Sequence, residues 1–464
     1  MEEGTDNRSH LGHVARLVVA VAAAAAIAWL FFVYQPPERA RYPGRQKVVF
    51  WHMWTAKWEK VVQRIVDRFN ESQREYEVVV LVVPGGSLKT LIAAAGGDPP
   101  DVMAQWDPVI PAWAERNALT PLDEVMDPAD WEYLKKNMYP AVRAIGTCKG
   151  HFYGLSTGMN IWAMYFRPSH FLAAGLDPKK FPATLEELDA VAAKLYQYDA
   201  RGRITRIGFS PRWVTQWIPV FGGSLYDEAT GQLTVLAPRN VAALEYERGY
   251  AEKYGFDRLM QFESGLMSSI GASWPFISGA YSIVVDGQWR IQDLAEAGEE
   301  DYDTAPIPPP RGGKPLACWS NGNFMVIPAG AKEKRGALAF MKFWSGVGNP
   351  EEAAEFYTWG GWLPITPHVA KAARYQEYIR RYPKFKTFLD ILASPNVQVS
   401  PPVPIQAYLM NRIGSAEDAA LRGNLSPREA MARLEEEVRR EQELQAAAKS
   451  ETRIPKPESN GKPE

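Results

Sequence analysis

The sequence contains little cysteine. Only Cys148 and Cys318 are present among 464 residues. Neither belongs to a C-x-x-C pair or lies beside a histidine cluster, which argues against zinc and thiol-redox sites. In an exported protein the two would form a disulfide, whereas in a reducing compartment they would be unrelated buried thiols. Both alternatives stay open on the residues alone, and no metal or cofactor is expected.

The chain also lacks a charge excess and the short motifs of several enzyme classes. Its 52 Lys and Arg against 54 Asp and Glu give a net charge of −2, which offers no electrostatic attraction for nucleic acid or an anionic membrane. The H-E-x-x-H zinc pair and the G-x-x-x-x-G-K-[ST] phosphate loop are absent. A carboxylate pair for glycoside hydrolysis remains open because acidic residues are plentiful. The pattern favours a binding protein over an enzyme.

Aromatic side chains are abundant instead. The sequence contains 16 Trp, 20 Tyr and 19 Phe. Trp and Tyr combine a flat apolar surface with a polar edge, so a surplus beyond the needs of a core predicts a recognition surface. The length and the 46% hydrophobic content leave room for two domains.

The longest uncharged run lies near the N-terminus. Residues 17–34, LVVAVAAAAAIAWLFFVY, are long enough to cross a bilayer as a helix. We expect a short tail at 1–16, an uncleaved transmembrane anchor at 17–34 and a linker at 35–46, with a cleaved signal peptide as the alternative. Basic residues flank the span on both sides, so the positive-inside count does not set its orientation.

The segments after the linker alternate between strand and helix patterns. VVFW at 48–51, VVVLVV at 78–83 and DVMAQW at 101–106 are apolar runs typical of buried parallel strands. An apolar stripe from 58 to 69 predicts a helix with Thr55 as its N-cap, and LKTLIAAA at 88–95 predicts another. Strand, helix, strand, helix, strand indicates an α/β lobe. Polar composition predicts a disordered tail at 446–464.

Three tryptophans lie close together at the start of this lobe. Trp58 falls on the apolar stripe of the first helix and Trp51 ends the first strand, so we predict structural roles for both. Trp54 lies in the turn between that strand and the helix. Ligands of open α/β sheets bind outside the carboxyl ends of strands, so Trp54 is predicted to meet the ligand.

Several segments, in chain order, resemble the extracellular solute-binding proteins of ABC importers. The resemblance is closest to the sugar-binding group that includes maltose-binding protein, and it covers roughly residues 47–445. The segments are VVFWHMW, PGGSLKTLIAAAGGDPPDVMAQWDP, YGLSTGMNIWAMYFRPSHFLAAGLDP, FGGSLYDE, DGQWRIQDL, WSNGNFMVIPAGAKEKRGALAFMKFWSG, GGWLPITPHV and PVPIQAYLMNRIGSA.

The resemblance implies two α/β lobes joined by three crossovers, with the ligand between them. The crossovers would fall near Leu155–Gly158, Val285–Gly287 and Asn321–Met325. Lobe one would comprise 47–156 plus 286–322, and lobe two 157–285 plus 323–445. The first and third crossovers run side by side in this family, which would bring Cys148 and Cys318 within reach of a disulfide.

Position and resemblance together indicate a set of ligand-binding side chains. Alternatives exist: Asp107 would serve equally as a helix N-cap, Asp286 as a turn residue, and Asn160 and Trp162 as core. Trp289 and Tyr408 match aromatic ligand-stacking positions of the family. The predicted set is Trp54, Trp106, Asp107, Asn160, Trp162, Trp213, Asp286, Trp289, Trp319, Asn321, Trp362 and Tyr408.

These features predict a monomeric, membrane-tethered receptor on the extracytoplasmic side. It would close on a carbohydrate and deliver it to the permease subunits of an ABC importer. A glycerol-phosphate ligand is the first alternative and would need arginine near the cleft, for which Arg212 and Arg290 are available. A carbohydrate-active enzyme and a non-transport sensor on the same fold are the others.

Overall fold

The computed structural model describes residues 18–19, 21–23, 25, 41–83, 92–93, 96–106, 109–266 and 274–452. The chain forms two compact units, Met1–Arg45 and Gln46–Glu464. Most of the predicted anchor and linker lies outside the described residues. Within the described part, no helix is both long enough and apolar enough to span a membrane. The second unit contains the elements discussed below.

The second unit begins with the predicted alternation of strand and helix. The strand Gln46–His52 (β1) runs parallel to Tyr76–Val82 (β2) and to Val102–Trp106 (β3). The helix Ala56–Ser72 (α1) buries the predicted apolar stripe, including Val62, Ile65 and Phe69. Thr55 occupies the predicted N-cap position without a capping side-chain hydrogen bond. The strand predictions are confirmed, while the helix predicted at 88–95 falls mostly outside the described residues.

The remaining described elements follow in order. The strands are Thr147–Cys148 (β4), His151–Phe152 (β5), Gly154–Phe166 (β6), Gln197–Tyr198 (β7), Ile204–Arg206 (β8), Tyr226–Asp227 (β9), Gln232–Leu233 (β10), Ile283–Gly287 (β11), Asp303–Ala305 (β12), Cys318–Val326 (β13) and Val397–Gln398 (β14). The helices before β11 are Ile110–Glu115 (α2), Leu122–Val125 (α3), Pro128–Asn137 (α4), Pro140–Gly146 (α5), Pro168–Ala173 (α6), Leu185–Leu195 (α7), Val214–Val220 (α8), Pro238–Tyr254 (α9) and Phe256–Ser264 (α10). After β11 come Arg290–Ala297 (α11), Lys334–Ser345 (α12), Pro350–Gly360 (α13), Pro367–Lys371 (α14), Ala373–Arg381 (α15), a 3-10 turn Pro383–Phe385, Lys386–Leu392 (α16), Gln406–Leu421 (α17) and Pro427–Thr452 (α18).

Strand β6 is the centre of an eight-stranded mixed sheet. The order of its main path is β11-β6-β13-β3-β1-β2, with β12 added to β6 and β14 to β13. The first half of β6 pairs antiparallel with β13, and its second half pairs antiparallel with β11 and β12. This one long strand therefore connects the parallel strands at the start of the unit to the later strands.

Two separate hydrophobic cores pack around this sheet. The first draws on residues 48–165, 324–392 and several side chains at 274–302. The second draws on residues 164–259, 305–319 and 403–438, with Ile283. Near the end of β6 successive side chains enter different cores, with Ala163 and Tyr165 in the first and Met164 and Phe166 in the second. Alternation along a strand thus separates the two cores.

This packing differs from the lobe boundaries that the resemblance implied. Residues 324–392 pack in the first core, where the ring of Phe340 lies 5.2 Å from that of Phe50. Residues 305–319 pack largely in the second core. The end of β11, where the resemblance implies a crossover at Val285–Gly287, pairs with Trp162–Met164 of β6.

The predicted disulfide is wrong, because Cys148 and Cys318 are both buried free thiols. Strand β13 runs antiparallel to β6, with Val326 opposite Gly154 and Ser320 opposite Ile161. Cys318 therefore lies towards the far end of β6, whereas Cys148 precedes its start. Two residues before Ser320, Cys318 lies level with Ala163, so at about 3.3 Å per residue its separation from the start of β6 is on the order of 30 Å, well beyond the span of a disulfide.

The C-terminal helix is longer than expected. Helix α18 extends to Thr452, past the predicted start of the disordered tail at 446. Three consecutive alanines at 446–448 favour helix and account for the extension.

Candidate functional site

The carboxyl end of β1 carries a buried histidine under the predicted ligand-binding turn. His52 is 1% exposed, and neither ring nitrogen has a hydrogen-bond partner in the part of the chain that is described. Its ring centroid lies 5.4 Å from that of Phe50 and 5.6 Å from that of Trp54. Burial lowers the pKa of His52 to about 4, so its imidazole is neutral at physiological pH.

Four indole rings form a continuous group beside this histidine, which we call the tryptophan stack: Trp54, Trp58, Trp344 and Trp362. Trp344 lies 6.0 Å from Trp54 and 5.7 Å from Trp362, and Trp58 lies 6.0 Å from Trp362. Trp344 is fully buried and the other three are half-buried. Trp58, predicted to be structural, is half-buried and its ring packs against that of Trp362.

The tryptophan stack rests on the first half of β6. The indole Nε1 of Trp344 donates to the carbonyl of Thr157 at 3.1 Å. A Cβ atom at Gly158 would lie 3.0 Å from the Cβ of Trp362, so a larger residue here would force Trp362 to shift. The amide of Met159 donates to the carbonyl of Leu363 at 3.2 Å. These contacts place Trp362 over Gly158 at the start of a face of β6.

Three side-chain amides follow next along that face. Asn160 Nδ2 donates to Asn321 Oδ1 at 2.8 Å, and Gln288 Nε2 donates to Asn160 Oδ1 at 3.3 Å. Gln288 is further fixed because its Oε1 accepts from the amide of Ile161 at 3.0 Å. Asn160 and Asn321 are half-buried. Gln288 is buried, and its Nε2 also donates to the Met159 carbonyl at 3.1 Å. A side-chain amide offers two donor hydrogens and two acceptor lone pairs, so Asn160 and Asn321 keep capacity for a ligand.

A second aromatic pair ends the face. Trp162 contacts Trp289 edge to face, with ring centroids 5.6 Å apart. A Cβ atom at Gly287 would lie 2.1 Å from the Trp289 ring, so only glycine lets this indole lie across the strand end.

We define the β6 strip as the side chains along this face: Trp362 over Gly158, the amides of Asn160, Asn321 and Gln288, and the rings of Trp162 and Trp289. Gly158, Asn160 and Trp162 share one face because alternate residues of a strand do. Trp162 and Gln288 are buried, Trp162 in the first core as its alternative predicted. The half-buried members of the strip are therefore Trp362, Asn160, Asn321 and Trp289.

Asp286 has a structural role in this arrangement. Its carboxylate accepts from the Gly287 amide at 2.7 Å and from Arg290 Nε at 2.9 Å. Arg290 also donates to Asp293 at 3.1 Å, and all three side chains are buried. Burial raises the pKa of Asp286, although the Arg290 charge opposes this shift. The group fixes the start of α11 rather than offering a free carboxylate.

The second core contributes one exposed ring. Trp213, immediately before α8, is 52% exposed, whereas Trp217 is fully buried and donates its Nε1 to the Arg212 carbonyl at 3.1 Å. Trp319 is 3% exposed and packs in the second core. Tyr408 on α17 is half-buried against the same core. Of these predicted residues, Trp213 is the one with a large accessible surface.

The structure brings together six of the predicted residues and leaves the others elsewhere or undescribed. Asp107 and the side chain of Trp106 lie outside what is described. Trp54, Asn160, Trp162, Trp289, Asn321 and Trp362 lie in or next to the β6 strip.

Sequence reasoning missed His52, Gln288 and Trp344. His52 follows Trp51 and Gln288 precedes Trp289. A single polar residue gives no periodic signal, so neither could be recognised from the sequence pattern. Trp344 falls on the apolar stripe of α12, so the pattern correctly marks it as core without revealing that it supports Trp54 and Trp362.

Residues 154–158 spell GLSTG, a match to the G-x-S-x-G pattern of serine hydrolases. In those enzymes the serine lies on a sharp strand-to-helix turn. Here Ser156 lies within β6, is fully buried, and donates its hydroxyl to the Asn323 carbonyl at 3.2 Å. The match therefore does not form a nucleophile turn.

The comparison with protein families gives a clear result. The family described as bacterial extracellular solute-binding protein matches residues 64–387. The chain belongs to this family, as the resemblance predicted, and its fold is the two-lobed α/β solute-binding protein fold.

Individual relatives and solved structures differ in the ligand that their names give. The sn-glycerol-3-phosphate-binding periplasmic protein UgpB of Salmonella typhimurium is 23% identical over 385 residues, covering 79% of this chain and 84% of the relative. CpMnBP1, solved with mannotriose bound, is 26% identical with a TM-score of 0.72, covering 84% of this chain and 99% of that chain. The cyclic alpha-maltosyl-1,6-maltose binding protein of Arthrobacter globiformis is 20% identical with a TM-score of 0.69, covering 85% and 98%.

Proposed function

We propose that the chain is an extracytoplasmic receptor that closes on an oligosaccharide and passes it to the permease of an ABC importer. The observation that carries this proposal is the β6 strip, in which indole rings flank a group of fixed amides. Family membership supports the transport role, and the mannotriose bound to CpMnBP1 supports the ligand class.

The chemistry of the strip matches that of a sugar chain. Each sugar unit presents patches of C–H on its faces and hydroxyls around its edge. Trp362 and Trp289 offer flat apolar surface for such faces. Between them Asn160 and Asn321, already oriented by mutual hydrogen bonds, offer donors and acceptors for hydroxyls. The alternation of two rings and intervening amides suits an extended ligand of more than one sugar unit.

Glycerol phosphate is the second candidate because UgpB is a relative. A phosphate is best bound by an arginine that is free to form bidentate hydrogen bonds. Arg290 is instead bound to Asp286 and Asp293, and Arg212 lies 3.5 Å from Glu263. Both arginines are therefore neutralised locally, which favours the neutral sugar.

The remaining parts of the proposal concern organisation and location. We propose that lobe one contains the first core, including residues 324–392, and that lobe two contains the second core. The chain would leave lobe one for the last time between α16 and α17. We further propose that residues 17–34 anchor a monomeric body to the membrane, on the extracytoplasmic side.

A thermal-shift panel on the purified full chain tests the ligand class. The panel comprises mannobiose, mannotriose, maltotetraose and glycerol 3-phosphate. A ligand at 100 times its Kd stabilises the folded state by about 2.7 kcal/mol, so at least one oligosaccharide should raise Tm by several degrees. If glycerol 3-phosphate were the one compound to raise Tm, the proposed ligand would be glycerol phosphate and not a sugar.

The same samples separate a receptor from an enzyme or a sensor. A receptor returns the sugar intact, whereas a glycoside hydrolase releases shorter products that mass spectrometry detects. If no member of the panel, nor a wider set of sugars, changes Tm, a sensor with a non-binding cleft becomes the better description.

A further inference from the structure

The turn before α8 holds an exposed tryptophan in an unfavourable backbone conformation. Trp213 has φ 63 and ψ 81, in the left-handed region, and is 52% exposed. Residues other than glycine, asparagine and aspartate rarely adopt this region, because their Cβ atom comes too close to the following carbonyl oxygen. Trp213 also occupies the N-cap position, where a side chain usually accepts from the first helical amides, and its indole provides no such bond.

A carboxylate from a distant helix supplies the missing cap. Glu417 on α17 accepts from the Trp213 amide through Oε1 at 3.0 Å and from the Val214 amide through Oε2 at 3.2 Å. Both oxygens of one side chain therefore bind the two amides that begin α8. The negative charge also lies at the positive end of that helix.

Burial near other acidic side chains makes the charged form of Glu417 energetically unfavourable. Glu417 is 8% exposed, and Glu247 on α9 is 1% exposed with no hydrogen-bond partner for either carboxylate oxygen among the described residues. Burial raises the pKa of both carboxyl groups; the nearby Arg212 opposes this shift for each, and Asp418 adds to it for Glu417. Arg212 itself is shared with Glu263.

Stability alone does not explain this arrangement. A buried group of acids is generally less stable than apolar side chains of the same volume, and strained backbone concentrates at functional positions. The carboxylate, the strained turn and the exposed ring meet at one point, which a purely structural helix start would not need.

We propose that Glu417 is a positioning residue for ligand binding: it holds the turn that presents Trp213 to the sugar as a ring of the second lobe. This inference rests on the proposed function. On this proposal, the contact between Trp213 and the sugar depends on Glu417 of α17, which does not itself touch the ligand.

A double-mutant cycle tests the proposal. Affinity for whichever of mannotriose or maltotetraose binds wild type more tightly is measured by calorimetry. Trp213→Ala should weaken binding about tenfold, and Glu417→Gln, which keeps one acceptor, about three- to tenfold. In the Trp213→Ala background Glu417→Gln should have no further effect, because its action passes through that ring. An equal loss in both backgrounds, or no loss in either, would overturn the proposal.

Two controls accompany the cycle. Asp418→Asn changes the neighbouring exposed acid, which pairs with Arg422, and should leave affinity within twofold of wild type. Glu417→Asp keeps the charge but shortens the side chain, so it should lose affinity even if Glu417→Gln folds poorly. Unchanged affinity of a folded Glu417→Asp protein would contradict the positioning role.

A ligand-independent readout separates this inference from the proposed function. If wild type binds no sugar, the function fails, but acrylamide quenching still reports the position of Trp213. The Trp213 signal is obtained by subtracting the Trp213→Phe spectrum. Glu417→Gln should change its quenching constant by at least a third, whereas Asp418→Asn should not. An identical constant in Glu417→Gln would show that Glu417 does not set the position of the ring.

Discussion

The two turns that begin α1 and α8 solve the same problem differently. Both helices start beside a non-glycine residue with positive φ, 54 at Ala56 and 63 at Trp213, and neither N-cap side chain caps its helix. At the first turn the ring of Trp54 lies 6.0 Å from both Trp344 and Trp362. At the second turn the Trp213 ring is half exposed and its backbone is held by Glu417.

On the proposed function, the two turns would prepare a ring for a ligand in two different ways. Apolar packing fixes Trp54 through several neighbours, so its position is coupled to the stability of the first core. A buried carboxylate accepts from the backbone amide of Trp213, and the residue itself stays half exposed. Changes at the first turn should therefore affect stability, whereas changes at the second should affect affinity with little loss of stability.

The largest expected effect is the loss of folding stability when Trp344, which packs against Trp54 of the first turn, is removed. Trp344→Ala removes a fully buried indole and should cost about 3 to 5 kcal/mol of unfolding free energy, the range for large core truncations. Trp213→Ala, the matched change at the second turn, should stay within about 0.5 kcal/mol. Urea denaturation of both variants measures the contrast. Similar losses would mean that the two rings are packed alike.

Low pH should destabilise the fold through protonation of His52, which lies under the first turn. Its pKa of about 4 lies below the ordinary 6.5, so between these values the unfolded state binds more protons and stability falls as pH falls. The wild type should lose about 3 kcal/mol between pH 7 and pH 4 from this group, at about 1.4 kcal/mol per pKa unit. His52→Phe, which keeps an aromatic ring, should lack that part of the acid sensitivity. Parallel pH profiles for the two proteins would contradict the assignment.

The buried acids near the second turn should make stability depend on pH with the opposite sign to that of His52. Burial raises the pKa of Glu247, so above its ordinary value the folded state binds more protons and stability falls as pH rises. Glu247→Gln should therefore gain stability relative to wild type on going from pH 5 to pH 8. A gain that is the same at both pH values would show that Glu247 does not titrate in this way.

Loss of either ring should weaken ligand binding by a moderate amount. Trp54→Ala and Trp213→Ala should each cost about 1 to 3 kcal/mol of binding free energy, as expected for aromatic contacts in a cleft. Calorimetry with the best oligosaccharide of the panel measures both. Tyr198→Ala serves as a control, because Tyr198 is 47% exposed and lies in the short strand β7, outside the proposed site. An equal loss in the control would indicate a non-specific effect of removing surface aromatics.

The smallest expected effect concerns backbone strain at the first turn. Ala56→Gly relieves a positive φ of 54 and should stabilise the protein by up to about 1 kcal/mol, with affinity unchanged. Thermal unfolding measures the gain. A loss of stability would show that the flexibility of glycine in the unfolded chain outweighs the strain.

The sequence predicts the local elements well, because apolar periodicity reports burial directly. The strands β1, β2 and β3, helix α1 and the Trp54 turn all follow from such patterns. The same pattern places Trp58 on the apolar stripe but does not reveal that its ring packs against Trp362.

Relations between distant segments could not be predicted in this way. The packing of residues 324–392 on the first core depends on where Phe340 and Trp344 of α12 meet β1, which periodicity does not specify. The disulfide failed because the antiparallel register of β6 and β13 places the two cysteines at different ends. Glu417 also has no signal in the sequence, since it binds amides 204 and 203 positions away.

The decisive test of an oligosaccharide receptor is calorimetric titration of the purified full chain with the best oligosaccharide of the panel, followed by mass analysis of the sugar. We expect one saturable site per chain, recovery of the intact sugar, and weaker binding in Trp54→Ala and Trp213→Ala. Binding of glycerol 3-phosphate alone, conversion of the sugar, or an affinity unchanged in both variants would contradict this expectation.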